Sequence, residues 1–208
     1  MDTGTCRSKK KTLLIVLLGA VAAAVVLTGV FVCGKTVLGL FAPLEVNTDI
    51  SRYNDHIGAN APEPYQNKWD MDETIFPAAI TEDMDVADYK MVYYDPWDAQ
   101  YLSYLVVNYG EEAYRAELER LEGYDSTEYL GYYGVTGFTN YDLLAIYADD
   151  YQGFVYAMTD GQGQIIYVEL IFCNYFMDLD YREYMDSKYL PDGFDATLDN
   201  AYQRSKGY

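Results

Sequence analysis

The sequence predicts an α+β domain held outside a membrane by one N-terminal transmembrane helix. Three observations lead there. An uncharged apolar run lies near the start, cations crowd only one side of it, and short alternating segments around one amphipathic helix fill the remainder.

Residues 13–33 carry no charge. At about 1.5 Å per residue a helix of that length crosses a hydrocarbon layer of about 30 Å. A helix also bonds its backbone amides internally, as lipid demands. Arg7, Lys9, Lys10 and Lys11 precede the run, and Lys35 alone follows it closely. That imbalance makes residues 1–12 a cytoplasmic basic tail and 13–34 the span, with the lipid bilayer as partner and everything after it extracytoplasmic. Three rival readings fit the run less well. A soluble core helix rarely runs so far without a polar face. A cleaved signal peptide has an apolar region of about 7–15 residues, and here Ala22, Ala23 and Ala24 sit inside the run, where a cut leaves an apolar stub. A lipid anchor on Cys33 needs a small residue before it, and Val32 stands there. Gly19 with Ala23 and Ala20 with Ala24 have helix-contact spacing, but Ala-rich helices contain such pairs by chance.

A chain of 208 residues has room for one globular domain plus an appendage. With 33 acidic against 14 basic residues, net -19, it is no nucleic-acid binder. Residues 36–208 hold 32 acids and 9 bases, net -23, a charge that keeps a domain soluble and off an anionic bilayer. One His and three scattered Cys build neither an ordinary zinc site nor a disulfide framework. No Asn begins an Asn-x-Ser/Thr site. Together these tilt the reading toward a bacterial surface protein.

Residues 35–85 read as an extracytoplasmic tether with a short helix. Thr48 caps it, Ile50, Tyr53 and Ile57 share a face, and Gly58 stops it. Ala61-Pro62-Glu63-Pro64 is extended, and Trp69, Ile75 and Phe76 pack onto the domain. The acidic, Tyr-rich domain covers 86–208. Strands are expected at 86–94 and 101–107, joined by the turn Asp95-Pro96-Trp97-Asp98. Asn108 caps the next helix with Glu111 as its partner. Tyr114, Leu118 and Leu121 form its apolar stripe, Glu111 and Arg115 pair on its surface, and Gly123 ends it. Residues 124–141 are irregular. Strands follow at 143–147, 154–158 and 165–172, the last two joined through Asp160-Gly161-Gln162-Gly163. In the last strand Ile166, Val168, Leu170 and Phe172 face the core, and Tyr167 and Glu169 face the other way. The order β-β-α-β-β-β with short links predicts a roughly five-stranded antiparallel sheet with one packed amphipathic helix. Residues 36–85 or the C-terminus cover the other face, or it stays an aromatic surface.

Chemistry is sparse. Nothing in the sequence brings the single His56 to Cys173, so they read as a surface histidine and a structural cysteine. Carboxylate pairs recur at Asp70/Asp72/Glu73, Asp83/Asp85, Asp149/Asp150 and Asp178/Asp180. Glycoside hydrolysis uses two such groups about 5–10 Å apart, but so acidic a chain produces pairs anywhere. Asp178-Leu179-Asp180 starts like a calcium loop and fails at the third ligand. No catalytic residue, metal ligand or cofactor is expected. The most suggestive group is Tyr93, Tyr94, Asp95, Trp97, Asp98 and Tyr101, gathered around one turn. Rigid rings with polar tips suit a protein interface or a sugar face, though Tyr also simply replaces Phe and Leu in a core. The expected function is a non-catalytic interaction module for an envelope protein or glycan. A small envelope hydrolase using paired carboxylates, and a structural accessory subunit of a membrane complex, are the alternatives.

The full chain should stay with membranes through a carbonate wash. In intact cells, external protease should remove a C-terminal tag and spare an N-terminal one. Release by carbonate, or the reverse protection pattern, would remove the span.

Overall fold

The structure, a computed structural model, describes residues 43–58 and 60–208. The expected basic tail and the span at 13–34 lie outside the described residues, among which no helix is long and apolar enough to cross a membrane. Six strands form one antiparallel sheet: β1 Leu44–Asn47, β2 Met84–Tyr94, β3 Gln100–Tyr109, β4 Asp142–Asp149, β5 Gly153–Thr159 and β6 Gln164–Ile171. Their order across the sheet is β1-β2-β3-β6-β5-β4. Among the described residues helices are few: α1 Tyr53–His56, α2 Glu111–Glu122 and α3 Ala201–Ser205.

Five strands fall on the expected segments. The sixth, β1, comes from the segment read as a tether. Its four residues are too short to show alternation, and β2 recruits them through the register Leu44↔Tyr94 to Asn47↔Met91. The expected capping residues also move. Asp49, not Thr48, caps the first turn by accepting from the Ser51 amide, and a 3-10 turn at Ile50–Arg52 leads into α1. Asn108 stays in β3, where its side-chain amide donates to Asp85 (3.2 Å). Gly110 takes the N-cap position of α2 without a side-chain bond. A long edge of sheet pairing wins over a local cap here, because β3 continues through Tyr109 against β2. Gly123 ends α2 as expected, its amide donating to the Glu119 carbonyl. The Glu111–Arg115 pair forms on the exposed face.

The sheet is buried on both faces. On one, Tyr53, Ile57, Tyr65, Ile75 and Phe76 join Leu121 of α2 against Met91, Leu105, Val155 and Tyr167. On the other, Tyr133 and Val135, with Met177, Tyr181, Tyr189 and Phe194 of the C-terminal segment, pack on Leu102, Tyr156, Val168 and Leu170. Segment 50–78 therefore covers the same face as the helix, and the C-terminus covers the opposite one. Strands β3, β5 and β6 are consequently buried along almost their whole length, the pattern of a sheet with no wet side. The alternation expected in β6 holds, with Ile166, Val168 and Leu170 on the C-terminal side. Tyr167 and Glu169 nonetheless point into a second core, and both are fully buried.

The two sheet edges differ. The Thr127 amide donates to the Ile146 carbonyl, and the Thr127 hydroxyl accepts from the Ala148 amide, so residues 126–127 cover β4. At the opposite edge β1 is the outermost strand among the described residues, with Leu44 and Val46 about half exposed.

Gly153 opens β5 at φ +106, and a Cβ there would stand 2.1 Å from the Leu170 carbonyl oxygen. Gly161, in the β5–β6 turn at φ +71, has open space around it. Both Gly→Ala changes should destabilise through strain, by about 1 kcal/mol or more at Gly161. Gly153→Ala should cost several times more, since backbone must move. Equal urea midpoints for the two variants would contradict this packing.

Candidate functional site

The residues with the most unusual environment lie between segment 50–78 and the sheet. Trp69 and Asp70 adopt left-handed backbone, at φ 58 and 59. The Met71 amide donates to the Lys68 carbonyl (3.1 Å) and the Asp70 amide to the Asn67 side chain (2.9 Å). This tight reversal sends Lys68 inward. Asp72 then caps a 3-10 turn, Glu73–Ile75, by accepting from the Thr74 amide, and that turn sets Glu73 beside Lys68. The sheet supplies the rest: Ser103 of β3 and Glu169 of β6 are direct cross-strand partners.

Lys68 Nζ donates to Glu73 Oε1 at 2.6 Å and to both Glu169 oxygens at 2.8 and 3.0 Å. Ser103 Oγ donates to Glu169 Oε1 at 2.5 Å. The Tyr101 ring lies 5.5 Å from the ammonium. The Lys68 and Glu169 side chains have no solvent exposure, and Glu73 keeps 10 %. Two carboxyl groups thus share one ammonium in a dry site. Burial pushes the Glu73 carboxyl up to about 7; the Glu169 charge adds to this and Lys68 opposes it.

Above this cluster opens a cleft of about 1060 Å³. Lys68 and Glu73 line it together with Asn54, Asn60, Glu63 and Asp70. Arg120 of α2 also reaches it, pinned by the Thr74 and Ile75 carbonyls (2.8 and 2.7 Å). Glu169 does not border the cleft, so only one carboxylate of the buried pair meets it. Asp70, Asp72 and Glu73, one of the carboxylate runs visible in sequence, all line it.

The turn residues are distributed differently. Tyr93 and Tyr101 are buried with ring centres 5.4 Å apart, and Tyr65 packs on both. The Tyr93 hydroxyl donates to Asp95 (3.0 Å), and burial raises it to about 12. The Tyr101 hydroxyl donates to the Pro64 carbonyl (2.7 Å). Tyr94 is half-buried on the opposite face, against the C-terminal segment's core. Asp98 accepts from the Asn174 side chain (2.8 Å). Trp97 is 50 % exposed. Two of the six residues are thus core, and the solvent-facing part of the turn is Trp97 with its flanking acids. Trp69 donates to the Ala99 carbonyl just after the turn (2.8 Å), but none of the six turn residues lines the cleft.

His56 is fully buried rather than at the surface. The turn of α1 drives it under Tyr65, whose ring meets it edge-on at 4.8 Å, and its Nδ1 lies 3.4 Å from the Tyr89 hydroxyl. Its Nε2 has no hydrogen bond, with Glu45 Oε1 at 3.7 Å. Burial holds its pKa below the usual value. Cys173 has other neighbours: its sulfur accepts from Asn174 (3.0 Å), and burial, then Asp98, push the thiol up to about 12. Such a thiol is protonated and a poor nucleophile. Among the described residues no group of three or more His, Cys, Asp or Glu is placed to hold a metal ion.

No family model matches the chain, and neither a curated protein nor a solved structure matches it.

Removing Lys68 would leave two carboxyl groups facing each other in a dry site. Lys68→Ala should therefore cost about 3–5 kcal/mol in urea unfolding. The Glu73 carboxyl titrates higher in the fold than in the unfolded chain. Its contribution is complete below about pH 4.5 and is lost as pH rises through about 7. His56, held low, acts oppositely as pH falls through about 6.5. The urea midpoint of Glu73→Gln minus that of the wild type should thus become more positive from pH 5 to pH 8. A flat difference would contradict the buried carboxyl.

Proposed function

We propose that this protein is a single-pass, membrane-anchored binding module whose acidic domain faces the extracytoplasmic side and holds an envelope protein or glycan. The apolar run at 13–33 and the cations before it support the anchor and its direction. The observation that carries the binding role is the cleft of about 1060 Å³, just above the upper end of the size range of ligand sites, about 300–1,000 Å³. Its amides, Asn54 and Asn60, both donate and accept, and its carboxylates, Glu63 and Asp70, accept. Such a wall suits a hydroxyl- and amide-bearing glycan or a peptide segment carrying a cation. Trp97, half exposed at the turn between β2 and β3, offers a separate flat apolar platform.

Hydrolysis by paired carboxylates remains a second reading. What favours it is Glu73, whose carboxyl titrates near neutrality at the cleft floor, where a general acid or base is most useful. Its nearest carboxylate partner, Glu169, sits behind Lys68 and out of a substrate's reach.

The full chain in detergent should bind soluble cell-wall glycan fragments or solubilised envelope proteins. Asn60→Ala with Glu63→Ala on the cleft rim, and Trp97→Ala with Tyr94→Ala at the turn, should each weaken that binding about tenfold. Unchanged binding in the first pair would remove the cleft from the reading. Unchanged binding in the second would remove the turn. Turnover of the bound glycan, lost in Glu73→Gln, would favour the hydrolase.

A further inference from the structure

A lysine and a glutamate held face to face out of water, with a proton carrier and a hydroxyl donor in place, are the reactants of an amide bond. We propose that Lys68 and Glu169 condense into an intramolecular cross-link, with Glu73 as the proton carrier and Ser103 as the donor that holds the reacting carboxyl. The inference is independent of what the cleft binds.

The geometry supplies each part. Lys68 Nζ stands 2.8 and 3.0 Å from the two Glu169 oxygens, so the amine faces the carboxyl group as a whole. Freed of its proton, the amine swings from this in-plane position over the face of the carboxyl group by rotation about the unbranched Lys68 side-chain bonds. Glu73 Oε1, at 2.6 Å, is positioned to take a proton from the ammonium and release the neutral amine. Ser103 Oγ, at 2.5 Å from Glu169 Oε1, stabilises the charge that gathers on that oxygen when the amine adds.

The balance closes without any further reactant. The Lys68 ammonium gives one proton to Glu73, which passes it to the second Glu169 oxygen, and the neutral amine adds to the carbonyl carbon of the resulting carboxylic acid. The nitrogen then loses a second proton, and the C–O bond to the second oxygen breaks. That oxygen, with two protons delivered through Glu73, leaves as water. An ammonium and a carboxylate become a neutral amide, and Glu73 returns to its starting state. Lys68 and Glu73 both line the cleft, which gives the water its exit.

Two physical arguments favour the bond. Fixed apposition replaces a bimolecular encounter and is equivalent to effective concentrations of about 10⁵–10⁸ M in well-oriented intramolecular reactions. A buried ion pair also carries a desolvation penalty that a neutral amide escapes. The consequence is mechanical, for the bond ties segment 50–78 to the middle of the sheet across a sequence separation of 101 residues.

Intact mass spectrometry of the full chain, purified in detergent, tests this. The wild type should weigh one water less than its sequence. Trypsin should fail to cut after Lys68 and should yield a branched peptide joining residues 53–90 to residues 121–182. Lys68→Arg and Glu73→Gln should both have their full sequence masses. A wild type at full sequence mass, cut by trypsin after Lys68, would overturn the cross-link. Water loss persisting in Glu73→Gln would overturn the role given to Glu73. The wild-type peptides decide the first point even where a variant fails to fold.

Discussion

The fold rests on one constraint: a six-stranded sheet buried on both faces by chain that is mostly neither helix nor strand. Irregular cover brings backbone carbonyls down onto an apolar surface, where an unpaired one is costly. Tyrosine resolves this. Tyr156 lies fully inside the C-terminal-side core and donates to the Tyr189 carbonyl at 2.7 Å. Tyr53 does the same for Pro77, and Tyr101 for Pro64. Each ring supplies core area while its hydroxyl ties down a covering segment. Phenylalanine would fill the same space and leave the carbonyl without its partner.

Against that background the cluster at Lys68 stands out, because it inserts charge where the rest of the sheet face is apolar or tyrosine. Glu169 occupies the middle of β6, two residues from Tyr167, at a position where sheet strands usually carry an apolar side chain. An ion pair there is weak grounds for stability. It makes better sense as chemistry or as a device that fixes where segment 50–78 lies. The raised Glu73 carboxyl follows from the same crowding, two acids around one ammonium in a dry place.

Much of the fold was legible because it rests on local pattern. The five long strands, the Asp160–Gly163 turn, the stripe ending at Leu121 and the stop at Gly123 all follow from periodicity and turn chemistry. What escaped depends on tertiary context. β1 exists because β2 extends far enough to pair with it, and Asn108 forgoes a helix cap because the ladder of β3 continues past it. The alternation around Glu169 was visible, but alternation says which side a residue faces and not whether that side is wet. His56 was misplaced for the same reason, since the segment carrying it is part of the core. In the site, the run Asp70/Asp72/Glu73 is one of several carboxylate runs of equal weight in the sequence. Lys68 had no signal at all, because its partner lies 101 residues away. The aromatic turn drew attention by composition, yet composition does not separate Tyr93 and Tyr101, which are core, from Trp97, which is half exposed.

The unlike borders of the sheet bear on how copies meet at high concentration. Main-chain groups of β4 are already engaged by Ser126 and Thr127, whereas β1 is outermost among the described residues. Among the described residues β1 is thus the margin more open to strand addition, and two copies meeting there edge to edge would each cover the other's outermost strand.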